Sequence, residues 1–137
     1  MNPVASGPAD APAVVYDSGV LIAISDGNPL AFRRHQGRLV SGYRIMVPAV
    51  VAAQVVRNPA RQARLMRALR GCDIVPFSAL HHVPVGRLLA AAGTADVVDA
   101  FVALLATAAQ AAIVSTDPHD IGHLLSCLGV RLPVFPM

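Results

Sequence analysis

The strongest constraint on the fold is a rhythm of short, continuously apolar runs separated by longer stretches with helical spacing. Val14-Val15-Tyr16, Arg44 to Val47, Cys72 to Phe77, Ala112 to Thr116 and Leu132 to Phe135 are too short and too uniformly apolar for half-exposed strands. They read as strands covered on both faces, which occur in parallel sheets flanked by helices. The segments between them supply the helices. One follows Tyr16 through Val20-Leu21-Ile22-Ala23-Ile24, another spans Pro29 to Val40, and a third opens at Pro48 and runs through Val55. Asn58-Pro59 starts a further helix that Gly71 stops, with Asn58 as its cap. His81 to Ala92 is shorter and interrupted by Pro84, whereas Ala95 to Ala108 and Pro118 to Leu128 are clear helices. Strands alternating with helices imply an α/β domain with a mainly parallel sheet. Met1 to Ala13, rich in Pro, Ala and Gly, reads as a flexible leader to one domain over residues 14–137.

At 137 residues, 55% of them hydrophobic and only 14% charged, the chain has little polar surface to spare. Cover by a partner or a second copy is expected. Val97 to Val114 is apolar enough to suggest a membrane span, but Asp99, Thr107 and Gln110 interrupt it, so a buried helix running into a strand is the better reading. No secretory signal is visible, and Cys72 and Cys127 lie far apart, as expected of reduced, buried thiols in the cytoplasm. The absence of GxGxxG, Walker A and GxSxG patterns argues against dinucleotide, NTP and serine-hydrolase functions.

All 8 acids are Asp and all 11 basic residues are Arg. Every carboxylate therefore sits on a short stem. Asp17 ends the first strand, Asp117 ends the strand at Ile113 to Thr116, Asp96 and Asp99 share the first turn of a helix, and Asp120 lies three residues beyond Asp117. In a parallel sheet the carboxyl ends of the strands share one edge, where ligands bind. Each acid alone has a structural explanation as a helix cap worth about 1 kcal/mol. Together on one edge they repel one another and resist ionisation. A hard divalent cation such as Mg²⁺ or Mn²⁺ relieves that penalty, activates a water, and suits phosphodiester hydrolysis.

At these residues the chain resembles the PIN-domain family, and in particular the VapC-like toxins of type II toxin–antitoxin modules. The likeness runs through Val15-Tyr16-Asp17-Ser18-Gly19-Val20-Leu21-Ile22, Val47-Pro48-Ala49-Val50-Val51-Ala52-Ala53-Gln54, Ala95-Asp96-Val97-Val98-Asp99-Ala100 and Ile113-Val114-Ser115-Thr116-Asp117-Pro118-His119-Asp120. It covers roughly residues 14 to 135 and implies a three-layer α/β/α domain. It further implies a Mg²⁺- or Mn²⁺-dependent endoribonuclease that leaves 5′-phosphate and 3′-hydroxyl ends. The partners implied are an antitoxin that blocks the acidic pocket and a second copy in a homodimer. Carried over by position, Asp17, Asp96, Asp99 and Asp117 are the metal-binding, catalytic acids, with either Asp96 or Asp99 as the main ligand of its motif. Ser115, Thr116 and Asp120 support them. Gln54 stands where the family usually has Glu, so it contributes no charge there; the alternative is a catalytically weakened module that binds RNA or protein.

Arg61, Arg64, Arg67 and Arg70 recur every third residue and fan across the exposed half of their helix. With Arg57 beside them, Arg61 and Arg64 are candidates to grip RNA phosphates, against the simpler reading of a solvated face. His119 and His123 are spaced i, i+4 without a third ligand of matching type, and His81-His82 read as surface at a helix entry. A phosphatase acting on small phosphate esters is a third functional reading, weakened by the lack of a DxD nucleophile arrangement.

Overall fold

A computed structural model describes residues 11–137. Residues 1–10, most of the expected leader, lie outside the described residues. The first strand, β1 (Ala13–Tyr16), takes in the last leader residue, and Pro12 accepts a backbone hydrogen bond from Arg44 N. The chain continues through α1 (Ser18–Ser25), α2 (Pro29–Val40), β2 (Arg44–Pro48), α3 (Ala49–Val55), a 3₁₀ turn (Pro59–Arg61), α4 (Ala63–Arg70) and β3 (Asp73–Val75). It ends with α5 (His82–Ala92), α6 (Val97–Ala109), β4 (Ala112–Val114), α7 (Pro118–Cys127) and β5 (Val134–Phe135).

The five strands form one wholly parallel sheet in the order β3-β2-β1-β4-β5. The chain builds outward from β1 through β2 to β3, then returns to the other side of β1 to lay down β4. The β1–β4 boundary is thus the topological switch point, where connections diverge and leave a crevice beyond the strand ends. Around α1 pack α2, α3 and α4; α5, α6 and α7 form a second group, in which α6 also contacts β1 and β4. Ala100, Phe101, Val102, Ala103 and Ala106 of α6 are all buried, so this helix is enclosed on most sides. The Val97–Val114 run is therefore a core helix feeding β4, and no single helix among the described residues is long and apolar enough to cross a membrane.

Several sequence expectations need correction. Pro48 does not open its helix: it is the buried last residue of β2 and stands at the cap position of α3. The helix expected over Pro59 to Arg70 is broken at Gln62, whose backbone (φ −118°, ψ 46°) leaves the helical region. Gln62 Oε1 accepts from Arg57 N and Asn58 N, while its Nε2 donates to Val55 O and Ser25 Oγ. One side chain thereby satisfies the turn that Asn58 was expected to cap; Asn58 makes no such side-chain bond. Pro84 does not interrupt α5, because it lies in the first turn, where a missing N–H costs no helical bond. His81 is not simply surface: its Nδ1 accepts from Ser78 N, and its ring packs 4.7 Å from that of Phe101 and 5.7 Å from that of Phe77. Both cysteines are free, but only Cys72 is partly buried; Cys127 is exposed.

Among the described residues Asp17, His35 and Ser115 are the buried polar side chains, and His35 is the one within a helix. His35 of α2 is fully buried, with Nδ1 2.8 Å from Tyr16 Oη, and Arg38 donates to that same hydroxyl at 3.1 Å. His35 Nε2 has no hydrogen-bond partner. Burial, and secondarily the Arg38 charge, hold the His35 imidazole below the usual histidine range, while burial pushes Tyr16 up to about 12. A base whose folded pKa is depressed takes up its proton first in the unfolded chain. Its contribution is therefore whole above about pH 6.5, the ordinary histidine value, and declines as pH falls below it. Thermal melts from pH 7.5 to 5 should lose stability more steeply in wild type than in His35→Leu; equal slopes would show that His35 is not titrating in the core.

Candidate active site

Asp17 follows β1 directly, and its backbone N–H continues the sheet by donating to Val114 O at 3.0 Å. Because Tyr16 pairs with Val114, the residues just beyond, Asp17 and Ser115, come side by side although 98 positions separate them. Ser115 is buried and uses its hydroxyl twice: Oγ donates to Asp17 Oδ2 at 2.9 Å and accepts from Asp117 N at 2.9 Å. It ties the first acid to the fourth. Asp17 itself is 5% exposed, and its Oδ1 accepts from Ser18 N at 2.7 Å as the cap of α1.

The same device recurs at two more helix starts. Asp96 Oδ1 accepts from Asp99 N at 3.0 Å and caps α6; Asp117 Oδ1 accepts from Asp120 N at 3.4 Å and caps α7. The structural reading of these three aspartates as caps is correct, yet it does not exclude a second role. Each cap consumes one oxygen and leaves the helix's positive end next to a carboxylate. Asp99 caps nothing. Burial first, then the charges of Asp17 and Asp96, a hydrogen bond with Asp96 and the charge of Asp117, raise its carboxyl to about 7. Those terms place Asp17, Asp96 and Asp117 in one electrostatic neighbourhood around Asp99. Among the described residues no three His, Cys or Asp side chains are already drawn into a coordination shell. The acids share a field, and the side chains would have to turn inward to share an ion.

A cleft of about 130 Å³ opens between Thr94, Asp96 and Asp99 on one side and Asp120, His123 and Leu124 on the other. Asp120, expected at the periphery, lines it; a hydrogen bond to Asp117 and that residue's charge shift its carboxyl upward. Thr94 and His123 were not singled out as site residues. A signal for His123 existed in the helical spacing, since Asp120, His123 and Leu124 at i, i+3 and i+4 share one face of α7. His119, the other member of the noted pair, does not line this cleft. Gln54 is exposed on α3 and also lies outside it.

The exposed arginines divide by role. Arg57 Nη1 donates to Ala53 O and Val56 O, closing the end of α3. Arg61 and Arg64 are exposed on the 3₁₀ turn and α4, and among the described residues the single ion pair is Arg44–Asp73 at 3.0 Å, away from that row.

Thr116 sits between Ser115 and Asp117, and α1 approaches it so closely that only glycine fits at position 19. A Cβ on Gly19 would lie 1.9 Å from Thr116 Oγ1, 2.7 Å from Cγ2 and 2.8 Å from Cβ. Rotating the threonine cannot clear its own Cβ. Gly19→Ala should therefore cost about 1–3 kcal/mol by overpacking. A second change, Thr116→Gly, should recover most of that loss and Thr116→Ala only part, as read from denaturant midpoints. Equal rescue by both would show that the clash lies in the rotatable atoms alone. For Asp99, the folded pKa lies above the unfolded one, so ionisation opposes folding. In metal-free buffer, stability should fall as pH rises from about 4 to about 7 and then level off. Asp99→Asn should flatten this slope; an unchanged slope would place the titrating group elsewhere.

Residues 14–121 match the PIN domain family. No curated protein sequence matches the chain. The fold is similar to the crystal structure of VapBC2 from Rickettsia felis bound to a DNA fragment from its promoter, with a TM-score of 0.68 and 17% identity over 91% of this chain and 98% of that one. It is also similar to FitAcB from Neisseria gonorrhoeae, with a TM-score of 0.61 and 16% identity over 89% of this chain and 96% of that one. At such identities the structures speak for the fold. Together with the match over most of the sequence, the five-stranded parallel sheet and the aspartates at its switch point, they show that this chain belongs to the PIN-domain family.

Proposed function

We propose that the chain is the toxin of a toxin–antitoxin pair, acting in the cytoplasm as a Mg²⁺- or Mn²⁺-dependent endoribonuclease. PIN domains are generally nucleases that use divalent metals. The observation that carries the reading is the Asp99 carboxyl, raised to about 7 by burial and by the negative neighbours Asp17, Asp96 and Asp117. Burial is the larger cause, but the negative neighbours add to it, so a cation would be stabilised there. The donor set is entirely carboxylate oxygen, the chemistry a hard cation prefers. Asp17, Asp96, Asp99 and Asp117 would hold the ion. When bound, it would supply charge neutralisation at the phosphodiester and activation of the attacking water.

The chain's own groups prepare that site. Ser115 fixes the Asp17 carboxylate and the Asp117 backbone together, so neither has to be ordered when substrate arrives. Thr116 packs against Gly19, and Asp120 lines the cleft from α7. Arg61 and Arg64, with the remaining donors of Arg57, face solvent and suit the phosphates of an RNA strand. Residues 1–13 would be a leader to the nuclease domain, although the first strand begins at Ala13. The neighbouring structures are toxin–antitoxin complexes, which supports an antitoxin as the natural cover of the pocket. Exposed apolar side chains, Val40 at 87% and Leu80 at 83% among them, leave room for that partner and for a homodimer.

A second reading follows from the neutral, exposed Gln54: a PIN module that binds RNA or protein and turns over weakly. Incubating the protein with RNA in Mn²⁺ and in EDTA separates the two. The nuclease reading expects metal-dependent cleavage leaving 5′-phosphate and 3′-hydroxyl ends. Asp17→Asn and Asp99→Asn, each folded by circular dichroism, should reduce it at least about a hundredfold, beyond the usual effect of groups outside the ligand set. Cleavage that survives both substitutions sinks the assignment. Binding without turnover, with turnover appearing in Gln54→Glu, favours the weakened module.

A further inference from the structure

The acidic cleft has one non-acidic polar wall on α7. His123 Nε2 lies 2.9 Å from Ala92 O, at the end of α5. A carbonyl oxygen only accepts, so Nε2 carries the proton and donates. In the neutral ring Nδ1 is then left as an acceptor, and the Nε2 bond fixes the ring's orientation. Beside the Thr94 hydroxyl and Asp99, whose raised pKa leaves it partly protonated, the lining residues offer acceptors: the carboxylates of Asp96 and Asp120 and the one ring nitrogen of His123 left free, Nδ1. Leu124 adds an apolar wall.

Such a lining selects among the parts of a nucleotide. A phosphate offers only acceptors and is repelled here except where a cation intervenes. A base edge offers donors and acceptors together, so part of any base would be unpaired. A ribose offers hydroxyl donors on a carbon frame that can rest against Leu124. The 2′-hydroxyl is also the group by which a protein tells RNA from DNA. We infer that the cleft between α6 and α7 receives a ribose next to the scissile phosphate, and that His123 accepts a hydrogen bond from its 2′-hydroxyl. His123 is thus a specificity-determining residue. The inference deepens the ribonuclease reading by naming what makes the substrate RNA, and it rests on that reading for the placement of the phosphate.

The test compares a fluorescent single-stranded ribo-oligonucleotide with its all-deoxy counterpart. Binding anisotropy is measured with Ca²⁺ as the divalent ion, using wild type, His123→Ala and His123→Gln. The glutamine amide can still donate to Ala92 O while offering no acceptor at the Nδ1 position, so it separates the α5–α7 clamp from recognition. Wild type should prefer the ribo-strand by about five- to tenfold, the scale of one hydrogen bond to a neutral group. Both variants should lower that preference towards one by weakening the ribo-strand alone, and His123→Gln should melt like wild type. No preference in wild type overturns the inference, as does a preference kept in His123→Gln, which would make His123 a clamp only. If the preference is present and lost as expected but wild type cleaves no RNA in Mn²⁺, the recognition stands and the nuclease reading fails.

Discussion

Pairing of β1 with β4 is the constraint from which the site follows. Two strands of four and three residues meet in parallel register, Val14 on Ala112, Val15 on Ile113 and Tyr16 on Val114. Parallel strands need a crossover between them, and here everything from α1 to α6 is that crossover. Because both faces of these strands are buried, a slip of one residue would turn Val15 and Ile113 to the opposite face of the sheet and disrupt the packing on both. The same register brings Asp17 beside Ser115 and within reach of Asp117. The price of gathering acids at one place is met by apolar burial that has nothing to do with acids.

Repulsion among those acids is offset locally before any cation arrives. Asp17, Asp96 and Asp117 each stand at the N-terminus of a helix, with a backbone N–H bound to one carboxylate oxygen. Three helix dipoles then converge on the site with their positive ends, each worth a few tenths to about 1 kcal/mol to an adjacent anion. This explains why Asp serves here and Glu is absent: only the short side chain reaches back to its own helix start. It also explains Asp99. Asp99 lies in the first turn of α6, where its carboxylate caps no helix, and burial and then the charge of its neighbours act on it. Capping and metal binding are therefore not rival accounts of these residues. The cap orients one oxygen of each carboxylate, and in Asp17 the other is held by Ser115 Oγ.

How much of this could be read from the chain alone depended on whether the determining contact was local. Helix α2 was legible to the residue, because Asn28 and Pro29 start it and Ser41-Gly42 end it through contacts within the segment. The strands were legible in position but too long at β3, β4 and β5. An apolar run does not say how many of its residues find a partner, and β5 keeps only Val134 and Phe135 in register. The break at Gln62 was not read, although three of its four side-chain bonds are local, to Arg57, Asn58 and Val55; only the fourth, to Ser25, comes from 37 positions away. In the site, the capping aspartates announced themselves by sequence spacing. The need for Gly19 did not, since it comes from Thr116 on a strand end that only folding brings near. His123 was passed over because it was weighed as half of a His pair, when its relevant neighbours were Asp120 on its own helix and Ala92 on another.

Gln54 bears on how the site is charged. It is the sixth residue of α3, about 7–8 Å along the axis from the residue that opens the helix. It is exposed and lies outside the cleft lined by Asp96, Asp99 and Asp120, and the charges that act on Asp99 are those of Asp17, Asp96 and Asp117. The amide adds no charge, so the four acids Asp17, Asp96, Asp99 and Asp117 carry at most −4, offset in part by three helix ends. On the proposed nuclease reading, the charge that a bound cation left uncompensated at the phosphodiester would have to be met by positive charge from the protein. The exposed arginines of the 3₁₀ turn and α4, unpaired with any carboxylate among the described residues, are the side chains free to supply it.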